Sequence, residues 1–280
     1  MTMMLERFEY LADRLRALSD GRRLVYIPNP GNYGDGLIRY ATKQFLADFG
    51  FEHHELNIGY TRARYQLAPW LVKGNACFLY GGGGAWSEHY GFARDYCRFI
   101  DRFTDRLMVL PSTYALDGLP KRAVMFRRDE AQSVDFAPNS EFCHDMALYA
   151  ACRKKGGGRV WPAPTQGTGM FLRTDRESRL SAEAVPGGNV DLSLEGDHMS
   201  NGDDFLSRIA AYETVVTDRL HVAIGACIVG RKVRLITGNY FKIRAIYDAS
   251  LAPHFGDQVS LVEEPMSVND LASQTLSRAS

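Results

Sequence analysis

The segment Thr217-Asp218-Arg219-Leu220-His221 puts a guanidinium and an imidazole two residues apart, where an apolar strand gives way to a helix. If the turn is extended, side chains two apart share a face, so Arg219 and His221 converge at a helix N-terminus. Such a place favours anions, and an imidazole there can be tuned as a proton donor. A plainer assignment fits the same spacing: Asp218 caps the helix, Arg219 pairs with a surface carboxylate and His221 packs in the core. Arg173 closes the apolar run Met170-Phe171-Leu172, where its fork could hold a carboxylate or phosphate or simply sit in solvent at a strand end.

Two further segments follow apolar strands. In Asn29-Pro30-Gly31-Asn32-Tyr33-Gly34-Asp35 the glycines allow close backbone approach, with Asn32 as a binding residue and Asp35 as a base or orienting group. A helix N-terminus alone would also justify the aspartate. The run Gly81-Gly82-Gly83-Gly84 forgoes side-chain packing, which a tight approach of ligand to Gly82 and Gly83 would explain, as would a surface turn. It is neither a Walker A loop nor a dinucleotide fingerprint. Lys242 and Arg244 open the last helix, where basic residues oppose the helix dipole, which marks them as anion or sugar contacts. Arg127-Arg128-Asp129-Glu130 reads as a solvated charge cluster, and Asp145 as a helix cap. No clustered carboxylate, histidine or cysteine pattern suggests a metal.

These groups need a scaffold, and the pattern supplies strands followed by helices. Leu24 to Ile27, Cys77 to Tyr80, Leu107 to Leu110 and Ala123 to Phe126 read as strands of a first block, with a helix from Gly91 to Phe103 and edge residues His53-His54. A second block holds strands at Met170 to Leu172, Val215-Val216 and Val233 to Ile236, and helices at Asp203 to Tyr212, Leu220 to Ile228 and Phe241 to Leu251. The alternation predicts an α/β fold. The glycine-rich stretch after Arg153 predicts a junction between domains 1–155 and 156–280. In open parallel sheets ligands bind beyond the carboxyl ends of strands, where four of these fall: Asn29 to Asp35, Gly81 to Gly84, Arg173 and Thr217 to His221.

Composition bounds the function. Lysine plus arginine and aspartate plus glutamate each number 33, so no overall field draws nucleic acid. The five cysteines are scattered, which predicts reduced thiols. The longest apolar run, Leu220 to Val229, is too short to span a bilayer. Leu5, Phe8, Leu11, Leu15 and Leu18 recur at helical spacing and predict a docked amphipathic helix rather than an export signal. A cytoplasmic location is expected, with contact of Arg14 and Arg16 with the inner face of a membrane left open.

Taken in order, Asn32-Tyr33-Gly34-Asp35, the glycine run, Arg128-Asp129-Glu130 with Ser133, Asp145-Met146-Ala147-Leu148, Phe171-Leu172-Arg173, Thr217 to His221 and Asn239-Tyr240-Phe241-Lys242 resemble the polysaccharide pyruvyl transferase family. The resemblance implies two Rossmann-like domains facing a cleft, as in GT-B glycosyltransferases. It also implies phosphoenolpyruvate as donor, no further cofactor, and a saccharide acceptor of a surface polysaccharide or its precursor, lipid-linked forms included. By the same likeness Arg173, Arg219 and His221 occupy donor-binding and catalytic positions and Asp35 faces the acceptor, around a positively charged pocket. A GT-B glycosyltransferase using a nucleotide sugar and a non-catalytic sugar- or anion-binding protein are the alternatives. The stretch between Arg173 and Asp203 follows no recognised pattern.

Overall fold

The computed structural model of the 280-residue chain describes residues 2–57, 63–87, 90–154, 159–175, 178, 185–238 and 241–263. The domain junction expected at 155/156 and the landmarks Asn239 and Tyr240 lie outside them.

The chain opens with α1 (Thr2–Ser19), whose Phe8, Leu11 and Leu15 are fully buried at the helical spacing read from the sequence. Then come β1 (Arg23–Ile27), α2 (Tyr33–Asp48), β2 (His53–Glu55), α3 (Ala63–Lys73), β3 (Ala76–Tyr80), β4 (Gly83–Ser87), α4 (Phe92–Asp101), β5 (Leu107–Ala115), β6 (Val124–Arg127), α5 (Ser133–Phe136) and β7 (Glu141–Phe142). These seven strands form one sheet in the order β2-β1-β3-β5-β6-β7, with β4 also paired to β5 and every pairing parallel. β1, β3 and β5 are buried almost throughout, as strands covered by helices on both faces must be. Chain order reverses between β1 and β3, the kind of crevice in which open parallel sheets receive ligands.

The glycine run does not form a simple loop. Tyr80 pairs with Val109 and Gly83 with Ser112, so β4 resumes alongside β5 after a two-residue break. A Cβ at Gly82 would meet the Pro111 carbonyl oxygen at 2.4 Å, so close backbone packing accounts for that glycine.

After a 3-10 turn (Met146–Leu148) and α6 (Tyr149–Cys152), the second sheet begins with β8 (Gln166–Phe171). α7 (Gly202–Ala210), β9 (Tyr212–Thr217), α8 (Leu220–Ile228), β10 (Lys232–Ile236), α9 (Lys242–Ile246), α10 (Ala252–Phe255) and β11 (Val259–Val262) complete it, in the parallel order β11-β10-β9-β8. The last helix read from the sequence is interrupted, since a π-helical turn at Tyr247–Leu251 separates α9 from α10.

One apolar cluster joins the two sheets. It takes Leu24, Tyr26 and Leu79 from the first and Val215, Val233 and Leu235 from the second, bridged by α2, α7, α8 and the fully buried Met146, Ala147 and Leu148. A second cluster packs α3 and α4 on the opposite face of the first sheet. The segment from α9 to α10 is tied to the first half by a buried hydrogen bond between His144 Nδ1 and Ser250 Oγ of 2.8 Å, with the His254 ring edge-on to His144.

Burial, helped by His254, lowers the His144 pKa from 6.5 to about 3. The ring is therefore neutral in the native state and charges in the unfolded chain below about pH 6.5, so the native state loses stability as pH falls from there towards 3. Urea denaturation at pH 6 and pH 4 should show the wild type losing up to about 1.4 kcal/mol per pH unit more than His144→Gln. Equal pH slopes for the two proteins would contradict this burial.

Candidate functional site

A cavity of about 310 Å³ lies where the carboxyl ends of the two sheets meet. Asn29, Asn32 and Asp35 follow β1, Gly84 and Ala85 belong to β4, and Arg128 follows β6. From the second sheet come Arg173 after β8, Arg219 and His221 after β9, and Lys242 at the start of α9. Of the site residues read from the sequence, six thus share this cavity: Asn32, Asp35, Arg173, Arg219, His221 and Lys242. Gly82 and Gly83 are not among its lining residues, and their neighbours Gly84 and Ala85 take that place.

The loop after β1 is shaped by capping. Asn32 accepts a hydrogen bond from the Gly34 N–H at 2.8 Å while Asp35 Oδ2 accepts from the Asn32 N–H at 3.0 Å, a capping box that starts α2. Asp35 Oδ1 accepts from the Asn29 side chain at 3.0 Å, and Asn29 in turn accepts from the buried Tyr80 hydroxyl at 2.9 Å. Burial raises the Asp35 pKa, opposed by the positive field of His221 and by the Asn29 hydrogen bond. Helix capping therefore accounts for this aspartate, and the raised pKa adds basicity at the cavity wall.

The Thr217 to His221 turn is extended at Arg219, with φ −98° and ψ 113°. Thr217 donates to the Phe171 carbonyl at 2.6 Å and accepts from the Arg219 N–H at 2.9 Å. Asp218 does not cap α8. Its Oδ1 accepts the Arg173 N–H at 2.7 Å, locking the end of β9 to that of β8, and burial raises its pKa. Arg219 itself stands at the cap position of α8 with no side-chain cap.

The two arginines are already engaged by carboxylates, which corrects the expectation of a pocket made positive by them. Arg219 forms a two-pronged pair with Asp191 at 2.9 and 2.6 Å and lies 3.0 Å from Asp175. Arg173 makes a similar pair with Asp175 at 2.9 and 3.1 Å. Asp191 also accepts the Thr174 N–H at 2.8 Å, and Asn189 both accepts from the Leu172 N–H at 2.7 Å and donates to the Leu172 carbonyl at 3.0 Å. The unrecognised stretch after Arg173 thus acts as a polar strap along the end of β8. Asn189 and Asp191, two residues apart after a Pro-Gly-Gly turn, were the sequence signal for it.

Arg128 and Asp145 were undervalued by sequence reasoning. Arg128 is 1% exposed and Asp145 fully buried, so the charge cluster after β6 is not solvated at this residue. Arg128 Nη1 donates to Asp145 Oδ2, and its Nε donates to Thr113 Oγ1 at 2.8 Å. Asp145 caps the 3-10 turn by accepting from the Ala147 N–H at 2.8 Å, as its position predicts, and its Oδ2 lies 3.6 Å from His221 Nε2. Burial pushes the Asp145 carboxyl up, but the Arg128 guanidinium and His221 outweigh it and hold the group well below the usual carboxylate range. At 3.6 Å the Asp145 contact is electrostatic rather than a hydrogen bond, and among the described residues His221 Nε2 has no hydrogen-bond partner. Nδ1 lies against Gly34, where a Cβ would come within 2.5 Å of it, so a side chain there would displace the ring.

Among the described residues no helix is long and apolar enough to cross a membrane, and the five cysteines are buried free thiols. Arg14 is held by Glu141 and Arg16 by Asp13.

The architecture defines an α/β protein built on parallel sheets, consistent with a Rossmann-like fold. The crystal structure of an uncharacterized protein from Klebsiella pneumoniae superposes with a TM-score of 0.71 at 24% identity, over 94% of this chain and 100% of that one, a likeness of fold. No family model and no curated protein matches the chain.

The Arg219–Asp191 pair is nearly enclosed, both side chains being 6% exposed. Removing Asp191 leaves the buried Arg219 to the partly exposed Asp175 at 3.0 Å, a carboxylate it shares with Arg173. Asp191→Ala should therefore lose about 3 to 5 kcal/mol of stability in urea unfolding, and Asp191→Asn less. A loss below about 1 kcal/mol for the alanine variant would show that solvent already screens the pair.

Proposed function

We propose that the chain is a pyruvyl transferase that moves a pyruvyl group from phosphoenolpyruvate to two hydroxyls of a saccharide, forming a cyclic ketal and releasing phosphate. The observation that carries this reading is the His221 imidazole, set at the cavity wall with the buried Asp145 carboxylate behind it and cationic side chains around it. The resemblance noted in the sequence converges on the same residues. On this reading the two sheets correspond to the halves of a GT-B-like arrangement, the acceptor lying towards the first and the donor between them.

The chemistry is general acid catalysis. His221 gives its proton to the donor's methylene carbon, the double bond supplies the electrons for the new C–H bond, and the neighbouring carbon becomes oxocarbenium-like. One sugar hydroxyl adds to that carbon and its proton passes to Asp35, whose raised pKa suits a base. The second hydroxyl then displaces phosphate, closing the ketal. Of the two hydroxyl protons, one restores His221 and the other departs with phosphate, so the sum is donor plus diol giving ketal plus hydrogen phosphate. The acceptor is a sugar of a surface polysaccharide or its lipid-linked precursor, met on the cytoplasmic side of the membrane where phosphoenolpyruvate is made.

Phosphoenolpyruvate should raise the melting temperature of the protein and a nucleotide sugar should not, since a ligand that binds only the native state stabilises it. With a panel of lipid-linked and free saccharides, phosphate release should require acceptor, and His221→Gln should lower kcat by about 10² to 10⁴ with the donor-induced melting shift retained. Wild-type turnover in that variant refutes the assignment of His221. Stabilisation by nucleotide sugars alone would move the chain to the glycosyltransferases.

A further inference from the structure

We infer that Gly34 is a positioning residue for His221: the side chain missing from this point of α2 is what lets the imidazole of the second half seat against the first. A Cβ at Gly34 would lie 2.5 Å from His221 Nδ1 and 2.9 Å from its Cγ, closer than packed atoms approach. Cγ joins the ring to the chain, so swinging the far edge alone does not relieve the conflict, and the whole ring has to move. On its other side Nε2 faces the Asp145 carboxylate at 3.6 Å, and Asp145 is held in turn by Arg128 and by the Ala147 N–H. The imidazole is thus seated between a helix backbone and a fixed, fully buried carboxylate. That this seat serves catalysis rests on the transferase reading. The seat itself does not.

Helix α2 itself gives no reason for glycine here. Gly34 is buried in the first turn, and its φ is not positive, so an L-residue can adopt its backbone. Alanine would be the better helix former. Asn32 caps the helix through the Gly34 N–H, which alanine also carries, and Asn32 Oδ1 would stand 3.0 Å from an added Cβ, a lesser conflict than that with the ring. Two residues on, Gly36 shows the same device aimed elsewhere, since a Cβ there would come within 2.8 Å of the Asp197 carbonyl oxygen. Asn32 and Asp197 form an antiparallel bridge at this point. The first turn of α2 is therefore kept bare for the second half, one glycine admitting the Asp197 segment and the other the imidazole. His221 grows from α8, yet both halves set its position. A displacement of about 1 Å at a reacting group can cost on the order of 100-fold in rate.

Thermal unfolding of the full chain as wild type, Gly34→Ala, His221→Ala and the double variant reads the contact without reference to activity. Gly34→Ala should lower the Tm by roughly 2 to 8 °C, because the added methyl forces the ring aside in a close-packed place. In the His221→Ala background the same substitution should cost nothing. Equal losses in the two backgrounds overturn the inference. Should Gly34→Ala not fold, recovery of folded protein on adding His221→Ala supports it and failure to recover overturns it. Gly36→Ala, whose methyl presses on the Asp197 carbonyl, should cost the same with and without the imidazole. Relief of that cost by His221→Ala would mean that removing the ring slackens α2 in general, which also overturns the inference. With phosphoenolpyruvate and an acceptor that the wild type uses, Gly34→Ala should lower kcat by about tenfold or more while KM for the donor stays within about threefold, and the double variant should be no slower than His221→Ala. Unequal Tm losses in a protein that does not turn over phosphoenolpyruvate keep the seat and reject the transferase. Turnover that Gly34→Ala leaves at the wild-type level keeps the transferase and overturns the inference.

Discussion

Asp145 is fully enclosed, and one of its oxygens stands between the Arg128 guanidinium and the His221 imidazole. Each of those two groups follows a strand of a different sheet. A buried carboxylate is tolerable only when matched, and here the match also fixes where the neighbouring side chains point. Arg128 cannot leave without stranding Asp145, and Asp145 cannot leave without stranding Arg128. The 3-10 turn that Asp145 caps carries Met146, Ala147 and Leu148 into the core shared by both sheets. Packing and electrostatics thus meet at one residue, and the cavity's floor inherits the rigidity of the core.

The upper rim is organised differently. There the backbone ends of β8 and β9 are tied by Thr217 and Asp218, while Asn189 and Asp191 act from a segment with little regular structure. Side chains stand in for the ladder partners that β8 lacks on this edge, an arrangement that keeps buried N–H and C=O groups satisfied. The arginines are placed by the same carboxylates, so their fork directions are set before any ligand arrives.

The repeating strand and helix pattern was legible because parallel strands buried on both faces read as short apolar runs, and β1, β3, β5, β8, β9 and β10 fall on or overlap the runs that predict them. Arg173 and Arg219 were legible because each follows such a run. What could not be read was pairing across sequence distance. Arg128 and Asp145 lie 17 residues apart, and nothing in Arg127-Arg128-Asp129-Glu130 says which charge is buried. The matching of Arg219 by Asp191, across 28 residues, was hidden in the same way. Glycine was ambiguous for a related reason, since Gly82 serves the Pro111 backbone and Gly84 the cavity, and a run of four identical residues carries no sign of that division.

The cavity's size bears on which ligand the proposed chemistry can use. At about 310 Å³ it lies at the small end of ligand pockets, which run from about 300 to 1,000 Å³. A three-carbon donor leaves room for part of a sugar ring in such a space, whereas a nucleotide sugar would have to extend well outside it.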